Sequence, residues 1–493
     1  MNNQTSLLPL ALRGLKDPSL FRQAALIDRN WTDAAVSVDV IDPASRSVLG
    51  TVPDLSAEQT QDAINAAERA FALWRKRPVS ERAALVMRWH DLMMENADDL
   101  ALILTAEQGK PLAEARGEIG YGASFVKWFA EEASRIEGHV IPAPAGDRQI
   151  VVMKDPVGVC AIVTPWNFPN AMIARKVAPA LAAGCSVVIK PSELTPFSAL
   201  ALADLALRAG IPNGVINVVT GMPTQIGGAL TASPVVRKLS FTGSTRVGSL
   251  LMAQCAPTVK RLSLELGGNA PFIVFEDADL DAAVVGVMAS KFRNGGQTCV
   301  CANRIFVQAG IYDEFAAKLS AAVTALKVGP GLQEGVAIGP MINDAAIAKI
   351  KQHVDDAQSK GAKIVAQAPI PTSGQYAAPV VLTGVTPEMI VAQEETFGPV
   401  APLFRFETED EAITLANATP FGLAAYFYTE SHRRAWRVGQ MLEAGLVGLN
   451  TGNMAMAAAP FGGVKQSGLG REGARAGIEE YLEIKAFHMA GLD

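Results

Sequence analysis

Apolar residues along this chain follow two different spacings. Over residues 56–135 they recur at helical intervals in alanine-rich stretches, and Ser56 and Ser80 stand where helix N-caps are expected. From about residue 156 onward, short apolar runs such as VGVCAIV and CSVVIKP alternate with helical stretches. Because neighbouring parallel strands need crossover helices, four or five such units in succession predict a doubly wound parallel sheet and an α/β fold.

Other patterns divide the rest of the chain. A second series of strands and helices follows residue 263 and predicts a second α/β domain. Two extended runs around a Pro/Gly turn at 136–155 are typical of a hairpin, and the strand-like tail should pair with that hairpin or with another subunit. The expected organisation is a dinucleotide-binding, Rossmann-like domain (20–135 and 156–262), a catalytic domain (263–460) and a small β oligomerisation element (136–155 and 476–493).

Composition narrows the class of protein. The chain has 493 residues, 49% of them hydrophobic, which supports large buried cores. A net charge of −6 gives no reason to expect nucleic acid or an anionic membrane as a partner, and no apolar stretch is long enough to span a bilayer. Five cysteines without a disulfide framework, and a start without a secretory core, indicate a cytoplasmic protein; scattered histidines predict no metal site.

Polar side chains stand just past the predicted ends of two early strands, where a doubly wound sheet binds its ligand. Asn167, in TPWNFP, offers two N–H donors that suit a developing oxyanion; the alternative is that it caps the next helix. Lys190, Ser192 and Glu193, in KPSE, suit ribose hydroxyls, with an exposed salt-bridged loop as the alternative.

Later strand ends carry similar candidates. Gly243 and Ser244, in FTGST, open a helix whose N–H groups can receive a phosphate, or they form an ordinary N-cap. Glu265, in ELGG, is a candidate base if it is buried, and a surface residue otherwise. Cys299 follows Gly-Gly-Gln-Thr, which predicts a nucleophile in a loop that opens a helix; a lone cysteine is more often a small core residue.

The order of these motifs resembles the aldehyde dehydrogenase superfamily at every point. PWNFP, KPSE, FTGST, ELGG and GQTC are followed by EETFGP at 394–399 and PFGGVKQSG from 460, and the resemblance spans about residues 20–490. It implies an aldehyde dehydrogenase-like fold and an NAD(P)-dependent enzyme that acts on a small-molecule aldehyde as a homodimer or homotetramer. A cofactor-free esterase and a non-catalytic structural protein of the same fold are the competing interpretations.

The resemblance also implies residue roles. Cys299 would attack the aldehyde, its own N–H and the Asn167 side chain would hold the oxyanion, and Glu265 would activate the water that hydrolyses the thioester. The cofactor contacts implied in the same way are Trp166, Lys190, Glu193, Gly243 and Ser244 for the adenosine and phosphates, and Glu395 and Phe397 for the nicotinamide ribose and ring.

Unusual charges near these motifs bear on the substrate. Arg175 and Arg293 could clamp a carboxylate at the far end of a short aldehyde, or could bind acidic side chains or subunit neighbours. The surrounding segments resemble succinate semialdehyde dehydrogenases, whose carboxylate-binding arginines match these two. Those enzymes place a serine near Ala455; its absence weakens one hydrogen bond and opens space, so glutarate semialdehyde is the alternative to succinate semialdehyde.

Two residues bear on cofactor choice and regulation. Glu193 repels a 2′-phosphate and so favours NAD, although Lys190 and Ser192 leave NADP open. The resemblance further implies a reversible disulfide between Cys299 and Cys301, which would be strained and easily reduced; packing is the alternative role for Cys301.

Overall fold

This computed structural model describes residues 8–491. Their two largest sheets consist mostly of parallel strands and are covered by helices. In chain order, the strands are β1 (Ala25–Ile27), β2 (Asn30–Thr32), β3 (Ser37–Ile41), β4 (Val48–Pro53), β5 (His139–Pro142), β6 (Arg148–Pro156), β7 (Val159–Val163), β8 (Ser186–Lys190), β9 (Ile216–Val218), β10 (Val236–Thr242), β11 (Arg261–Glu265), β12 (Ala270–Val274), β13 (Ala302–Gln308), β14 (Lys363–Gln367), β15 (Val380–Thr383), β16 (Val400–Phe406), β17 (Phe421–Gly422), β18 (Ala424–Tyr428), β19 (Leu446–Leu449), β20 (Val464–Lys465), β21 (Gly468–Leu469) and β22 (Leu482–Ala490).

Helices cover both sheets. They are α1 (Ala57–Trp74), α2 (Val79–Glu95), α3 (Ala97–Gln108), α4 (Leu112–Glu132), α5 (Ala171–Ala183), α6 (Phe197–Arg208), α7 (Pro223–Ala232), α8 (Thr245–Cys255), α9 (Leu280–Lys291), α10 (Tyr312–Thr324), α11 (Asp344–Ser359), α12 (Ile390–Gln393), α13 (Glu409–Asn417), α14 (His432–Met441) and α15 (Ala474–Glu479). Ser56 accepts from the Gln59 N–H in a full capping box, which confirms the predicted start of α1.

The first sheet has the order β2-β1-β9-β8-β7-β10-β11-β21. Its five central strands, β7 to β11, are parallel, which confirms the predicted doubly wound arrangement. The chain leaves β7 toward β8 on one side and returns to β10 on the other, so β7 and β10 border the point where the strand order reverses. Ligands of such sheets bind at this point, outside the carboxyl ends of the strands.

The second sheet has the order β14-β15-β16-β13-β12-β18-β19, and only β14 runs antiparallel to its neighbour. Two of its parts, α11 and β14, were not predicted from the sequence. The charged residues of α11 give it a mostly polar surface, and β14 alternates exposed and buried residues at the sheet edge. Neither segment therefore contains the continuous apolar run that marks a buried strand of a parallel sheet.

The predicted hairpin is confirmed as β5 and β6, and the tail strand β22 pairs with β6 along its whole length. One strand pairing was not predicted from the sequence. Strand β21, in the second half of the chain, pairs with β11 of the first sheet beside Glu265. The domain ranges given above remain predictions.

Two further observations concern membrane-spanning helices and metal sites. Within residues 8–491, no helix is long and apolar enough to cross a bilayer, and no group of three or more His, Cys, Asp or Glu side chains is placed to hold a metal ion. The first seven residues, part of the segment behind the localisation expectation, lie outside the described residues.

Candidate active site

Cys299 lies where two cavities meet. The first cavity, of about 370 Å³, opens at the carboxyl ends of β7 and β10, and the second, of about 310 Å³, lies on the α4 and α5 side. Cys299 and Met172 line both. A molecule in each cavity would therefore meet at the thiol, which is the arrangement a transfer between two bound molecules needs.

The backbone before Cys299 has an unusual conformation. Asn294, Gly295 and Gly296 have positive φ angles of 51°, 62° and 78° in succession. A Cβ on Gly296 would stand 2.3 Å from the carbonyl oxygen of Gly398, so no side chain fits there. The loop leads into strand β13, and the prediction that it opens a helix is wrong: the turns come from the glycines before the cysteine, while the residues after it form a buried strand.

Burial raises the pKa of the Cys299 thiol to about 12, although the charge of nearby Arg175 acts in the opposite direction. The resting group is therefore a thiol at neutral pH, and attack needs a proton acceptor or a change in the surroundings. Gly268 comes close to this residue: a Cβ there would lie 2.7 Å from the Cys299 carbonyl oxygen, which explains the second glycine of ELGG.

Asn167 follows β7 and lines the first cavity beside Cys299. Its Nδ2 donates to the Gln297 carbonyl at 3.0 Å, and α5 begins only after Asn170, so Asn167 does not act as a helix cap. One N–H of the amide thus holds the loop before Cys299, and the second N–H is left for another acceptor.

Glu265 ends β11 and is 2% exposed, which excludes the alternative of a surface residue. Burial and the charge of Glu472 raise its pKa well above the usual range, against the opposing effect of Arg175. Its Oε2 has no hydrogen-bond partner within residues 8–491, and its side chain packs against Gly462 rather than lining either cavity. The structure therefore places this carboxyl group outside the walls of both cavities, against Gly462.

Several residues that the resemblance linked to a cofactor meet in the first cavity. The ring centroids of Trp166 and Phe397 are 5.6 Å apart in edge-to-face geometry. Burial raises the pKa of Glu395 to about 7, and its Oε1 accepts from the Gly268 N–H at 3.3 Å. The further lining residues from that set are Gly243 and Ser244.

The start of α8 faces this cavity. Ser244 is the N-cap, and its Oγ accepts from the Val247 N–H at 3.4 Å. The earlier N–H groups of the first turn stay available for an anion, and the helix dipole favours one there. Together with the glycines and aromatic rings of the cavity, these groups fit a nicotinamide dinucleotide.

Lys190, Ser192 and Glu193 do not line the first cavity but stand at the neighbouring strand end. The Lys190 carbonyl accepts from the Thr164 N–H at 3.1 Å, which ties this strand end to the segment before Asn167. Lys190 Nζ and Glu193 Oε2 form an ion pair of 2.8 Å. The pair agrees with the salt-bridged alternative, although Lys190 is buried rather than exposed, and the contact of these residues with a ribose stays a prediction.

Arg175, Arg293 and Cys299 all line the second cavity. Arg175 is 1% exposed and donates from Nε to Glu472; its Nη1 and Nη2 form no further ion pair within the described chain, and the Tyr121 hydroxyl is the neighbouring group that the arginine affects, since its charge opposes the rise that burial causes in the pKa of that tyrosine. Arg293 forms no ion pair with any described residue, and its guanidinium carbon lies 5.5 Å from the Phe168 ring centre. Ala455 lines the same cavity.

Sequence reasoning missed two charged partners, Lys176 and Glu472. Lys176 Nζ donates to Glu472 Oε1 while Arg175 uses Oε2, so one carboxylate joins two cations. Burial opposes the charge on Glu472, but Arg175 and Lys176 outweigh it and lower its pKa. Glu472 stands 297 residues from Arg175, and no local motif marks it.

Other missed residues line the cavities. Lys349 borders the first cavity and donates to the Glu395 carbonyl at 2.6 Å; Tyr121 and Phe461 border the second. Lys349 lies on α11, the helix that the sequence did not reveal. The Arg175 guanidinium carbon lies 4.1 Å from the Phe461 ring centre, a cation–π contact that fixes the arginine beside the cavity.

Cys301 is buried and lies apart from both cavities. Its sulfur is 3.3 Å from Lys291 Nζ, and that ammonium group also donates to Asn303. Burial raises the pKa of Cys301, against the opposing charge of Lys291. The disulfide with Cys299 stays a prediction.

Comparisons with known proteins agree with this geometry. The model of the aldehyde dehydrogenase family matches residues 31–487. The chain is 59% identical to a 3-sulfolactaldehyde dehydrogenase of Pseudomonas putida, over 97% of this chain and 99% of that protein. It is 57% identical to the NADP(+) succinate-semialdehyde dehydrogenase of Escherichia coli strain K12, over 96% of this chain and 98% of that protein.

A solved structure gives the same result. The succinate-semialdehyde dehydrogenase of Burkholderia pseudomallei superposes with a TM-score of 0.96 at 59% identity, over 97% of this chain and 100% of that one. The predicted fold and the predicted class of enzyme, an NAD(P)-dependent aldehyde dehydrogenase, are confirmed. The chain belongs to the aldehyde dehydrogenase family.

Proposed function

We propose that this enzyme oxidises succinate semialdehyde to succinate, with NAD as the preferred cofactor. The observation that carries the proposal is the second cavity: it joins the Cys299 thiol to two guanidinium groups, one with two unpartnered nitrogens and one without an ion pair in the described chain. Unpaired guanidinium nitrogens strongly favour an anionic partner. A short aldehyde with a carboxylate at its far end meets both requirements.

The chemistry begins at Cys299. Its sulfur adds to the aldehyde carbon and forms a thiohemiacetal, whose oxygen accepts from the Cys299 N–H and from the free N–H of Asn167. A nicotinamide cofactor held in the first cavity would supply the acceptor for the hydride that leaves this carbon. Cys299 then carries a thioester, because the carbon has lost two electrons while the sulfur bond remains.

Glu265 serves the second half of the reaction. Burial and the charge of Glu472 raise the pKa of its carboxyl group, and a raised pKa makes the ionised carboxylate a stronger proton acceptor, which suits the activation of the water that cleaves the thioester. Since its side chain lines neither cavity, it must turn toward the thioester or act through a water molecule. Glu472, Lys176 and Arg175 form its charged surroundings and set how readily it ionises.

Glutarate semialdehyde is a second candidate substrate. Ala455 lines the substrate cavity where a hydroxyl would shorten the available space, and the missing hydroxyl also removes one donor to a carboxylate. A longer chain would place its carboxylate deeper without losing the arginine contacts.

Glu193 supports NAD over NADP. Its carboxylate pairs with Lys190 and leaves that cation less available to a 2′-phosphate, which the carboxylate itself repels. The Escherichia coli relative carries NADP(+) in its name, so rates measured with both cofactors test the preference for NAD.

A homo-oligomer is the proposed assembly. The strand β22 is exposed along most of its length, with Ile484 and Phe487 turned outward, and within the described residues it pairs on one edge only. A long exposed edge with apolar side chains favours pairing with another chain. Light scattering coupled to gel filtration distinguishes a dimer from a tetramer, and a monomer would overturn the proposal.

The decisive experiment follows NADH formation with succinate semialdehyde, glutarate semialdehyde and 3-sulfolactaldehyde. The proposal expects the highest kcat/KM for succinate semialdehyde and no reaction in Cys299→Ala. Cys255→Ala, at a buried cysteine in α8 away from both cavities, is the matched control and should retain full activity. Activity that survives in Cys299→Ala would refute the proposed nucleophile, and a higher kcat/KM for another aldehyde would reassign the substrate.

A further inference from the structure

A buried lysine holds the main chain of Asn167. Lys110 is 2% exposed and follows α3, and its Nζ donates to the Asn167 carbonyl oxygen at 2.8 Å and to Glu118 Oε2 at 2.6 Å. The ammonium group also lies 3.8 Å from the centre of the Phe168 ring. Two of these contacts hold the Asn167–Phe168 segment and the third holds the lysine itself, and none of them touches the reacting atoms.

Glu118 holds the other end of the same segment. Its Oε1 accepts from the backbone N–H groups of Asn170 and Ala171, at 2.9 and 3.1 Å, where α5 begins. The Lys110–Glu118 ion pair, with both side chains 1% exposed, therefore spans the segment from the Asn167 carbonyl to the first turn of α5. Bonds between ionised groups and backbone are among the stronger hydrogen bonds in proteins.

Asn294 connects this segment to the loop before Cys299. Its Nδ2 donates to the same Asn167 carbonyl at 3.0 Å, so that oxygen has a donor from the loop after α9 as well as from Lys110. Gln108 holds the Asn294 side chain at 3.1 Å, and Glu114 accepts from the Asn294 backbone N–H at 2.8 Å. The Asn167 main chain is thus tied on both sides of the site.

We propose that Lys110, paired with Glu118, is a positioning residue that fixes the Asn167 amide relative to the Cys299 sulfur. The inference rests on the proposed function, because it takes Asn167 as an oxyanion donor. The carbonyl that Lys110 binds and the amide that receives the oxyanion belong to one residue, so a shift of the first moves the second. A displacement of about 1 Å in such a group costs on the order of 100-fold in rate.

Burying the charged Lys110 side chain costs free energy, and an apolar side chain would fill the same space without that cost. A buried ion pair is often no more stabilising than apolar residues of the same volume, whereas it specifies one geometry for the groups it contacts. In this site, Lys110 and Asn294 both donate to the carbonyl of Asn167, a residue that lines the same cavity as Cys299.

The test is Lys110→Met, which keeps the length and removes both charged hydrogen bonds. Three rates are measured: aldehyde oxidation with NAD, hydrolysis of p-nitrophenyl acetate, and alkylation of Cys299 by iodoacetamide, read by peptide mass. The first two pass through an oxyanion and should fall together by about 10- to 100-fold. Alkylation forms no oxyanion and should stay within twofold.

A matched control is Lys260→Met. Lys260 is also a buried lysine, and it donates to the carbonyls of Ser233 and Val236 outside the two cavities. It should lower thermal stability without changing the three rates relative to one another. If Lys110→Met leaves all three rates unchanged, or lowers alkylation as much as oxidation, the positioning role is refuted.

Two more variants complete the test. Glu118→Gln keeps an acceptor for the α5 amides but weakens the hold on Lys110, so it should lower oxidation and ester hydrolysis by about threefold to tenfold, and it carries the test if Lys110→Met does not fold. Asn167→Ala separates the two proposals. If it leaves ester hydrolysis intact, the oxyanion role itself fails; if it abolishes hydrolysis while the Lys110 and Glu118 variants do not, only the positioning role fails.

Discussion

Glu472 binds Arg175 through Nε alone and leaves Nη1 and Nη2 of that guanidinium buried without a partner in the described chain. The carboxylate fixes the plane of the arginine, and Arg175 lines the substrate cavity with Tyr121 as its neighbour. An unpartnered buried donor is costly, so a site of this kind is completed by an acceptor from outside. This relationship is the strongest structural support for an anionic substrate.

Arg293 offers the cleaner test of the clamp, because, unlike Arg175, it is not held by Glu472 and contacts the Phe168 ring instead. Arg293→Met should raise KM for succinate semialdehyde by about 10- to 100-fold, the equivalent of roughly 1.5–3 kcal/mol for a hydrogen bond to a charged group. The KM of propanal, which has no carboxylate, should stay within twofold. Arg433→Met, at an exposed arginine on α14, is the control and should change neither. Equal losses for both aldehydes would show that Arg293 acts on the fold or the thiol.

Ala455→Ser tests the substrate length. A hydroxyl in the second cavity should favour succinate semialdehyde over glutarate semialdehyde by about threefold to tenfold in kcat/KM, since it adds a donor and narrows the space. Ala458→Ser changes an exposed residue of the same loop and serves as the control. An unchanged ratio would remove Ala455 from the account of specificity.

The pH dependence follows from the Cys299 thiol. Burial raises its pKa to about 12, and the thiolate is the reactive form, so the reactive fraction is small at neutral pH and grows as pH rises. In the enzyme without cofactor, the rate of Cys299 alkylation by iodoacetamide should increase by about tenfold per pH unit between pH 7 and 9. A rate that is already level across this range would mean that the thiol ionises below pH 7.

Glu193→Gln tests cofactor choice with little change in shape. Loss of the carboxylate frees Lys190 and removes the repulsion of a 2′-phosphate, so kcat/KM with NADP should rise by about tenfold while kcat/KM with NAD falls. Steady-state rates with both cofactors give the answer. A wild-type enzyme that already prefers NADP strongly would contradict the argument from Glu193.

The predicted disulfide has its own test. After mild peroxide treatment, intact-mass analysis should show a loss of two daltons that a thiol reductant reverses, together with reversible inactivation. Cys301→Ala should remove both effects. The disulfide is contradicted if the wild type shows no two-dalton loss and Cys301→Ala is still inactivated in a way that a reductant reverses. Cys301, in contact with Lys291, would then have only a packing role.

Motif residues at strand ends could be predicted because strand periodicity fixes where each strand stops. Asn167 and Ser244 follow β7 and β10, and the strand order brings these two ends together in one cavity. Arg175 and Arg293 could be proposed because charged residues in apolar surroundings need partners. The structure confirms that both reach the cavity of Cys299.

The supporting charges could not be predicted in this way. Lys110, Glu118 and Glu472 lie in segments without a chemical motif, and their partners are 8 to 297 residues away along the chain. Glu118 reaches the site because α4 packs against α5, and Glu472 reaches it because the helix that follows it, α15, packs against the same two helices. The orientation of Glu265 was likewise open, because the sequence places a side chain at a strand end but does not set which way it turns.

The central claim is that one cavity joins the Cys299 thiol to a guanidinium clamp for an anion. The most direct test compares kcat/KM for succinate semialdehyde with that for its uncharged isostere, 4-oxobutanamide, under saturating NAD. The account predicts that succinate semialdehyde is favoured by about 100-fold or more, as expected for two charge-assisted contacts. Equal values for the two aldehydes would contradict it.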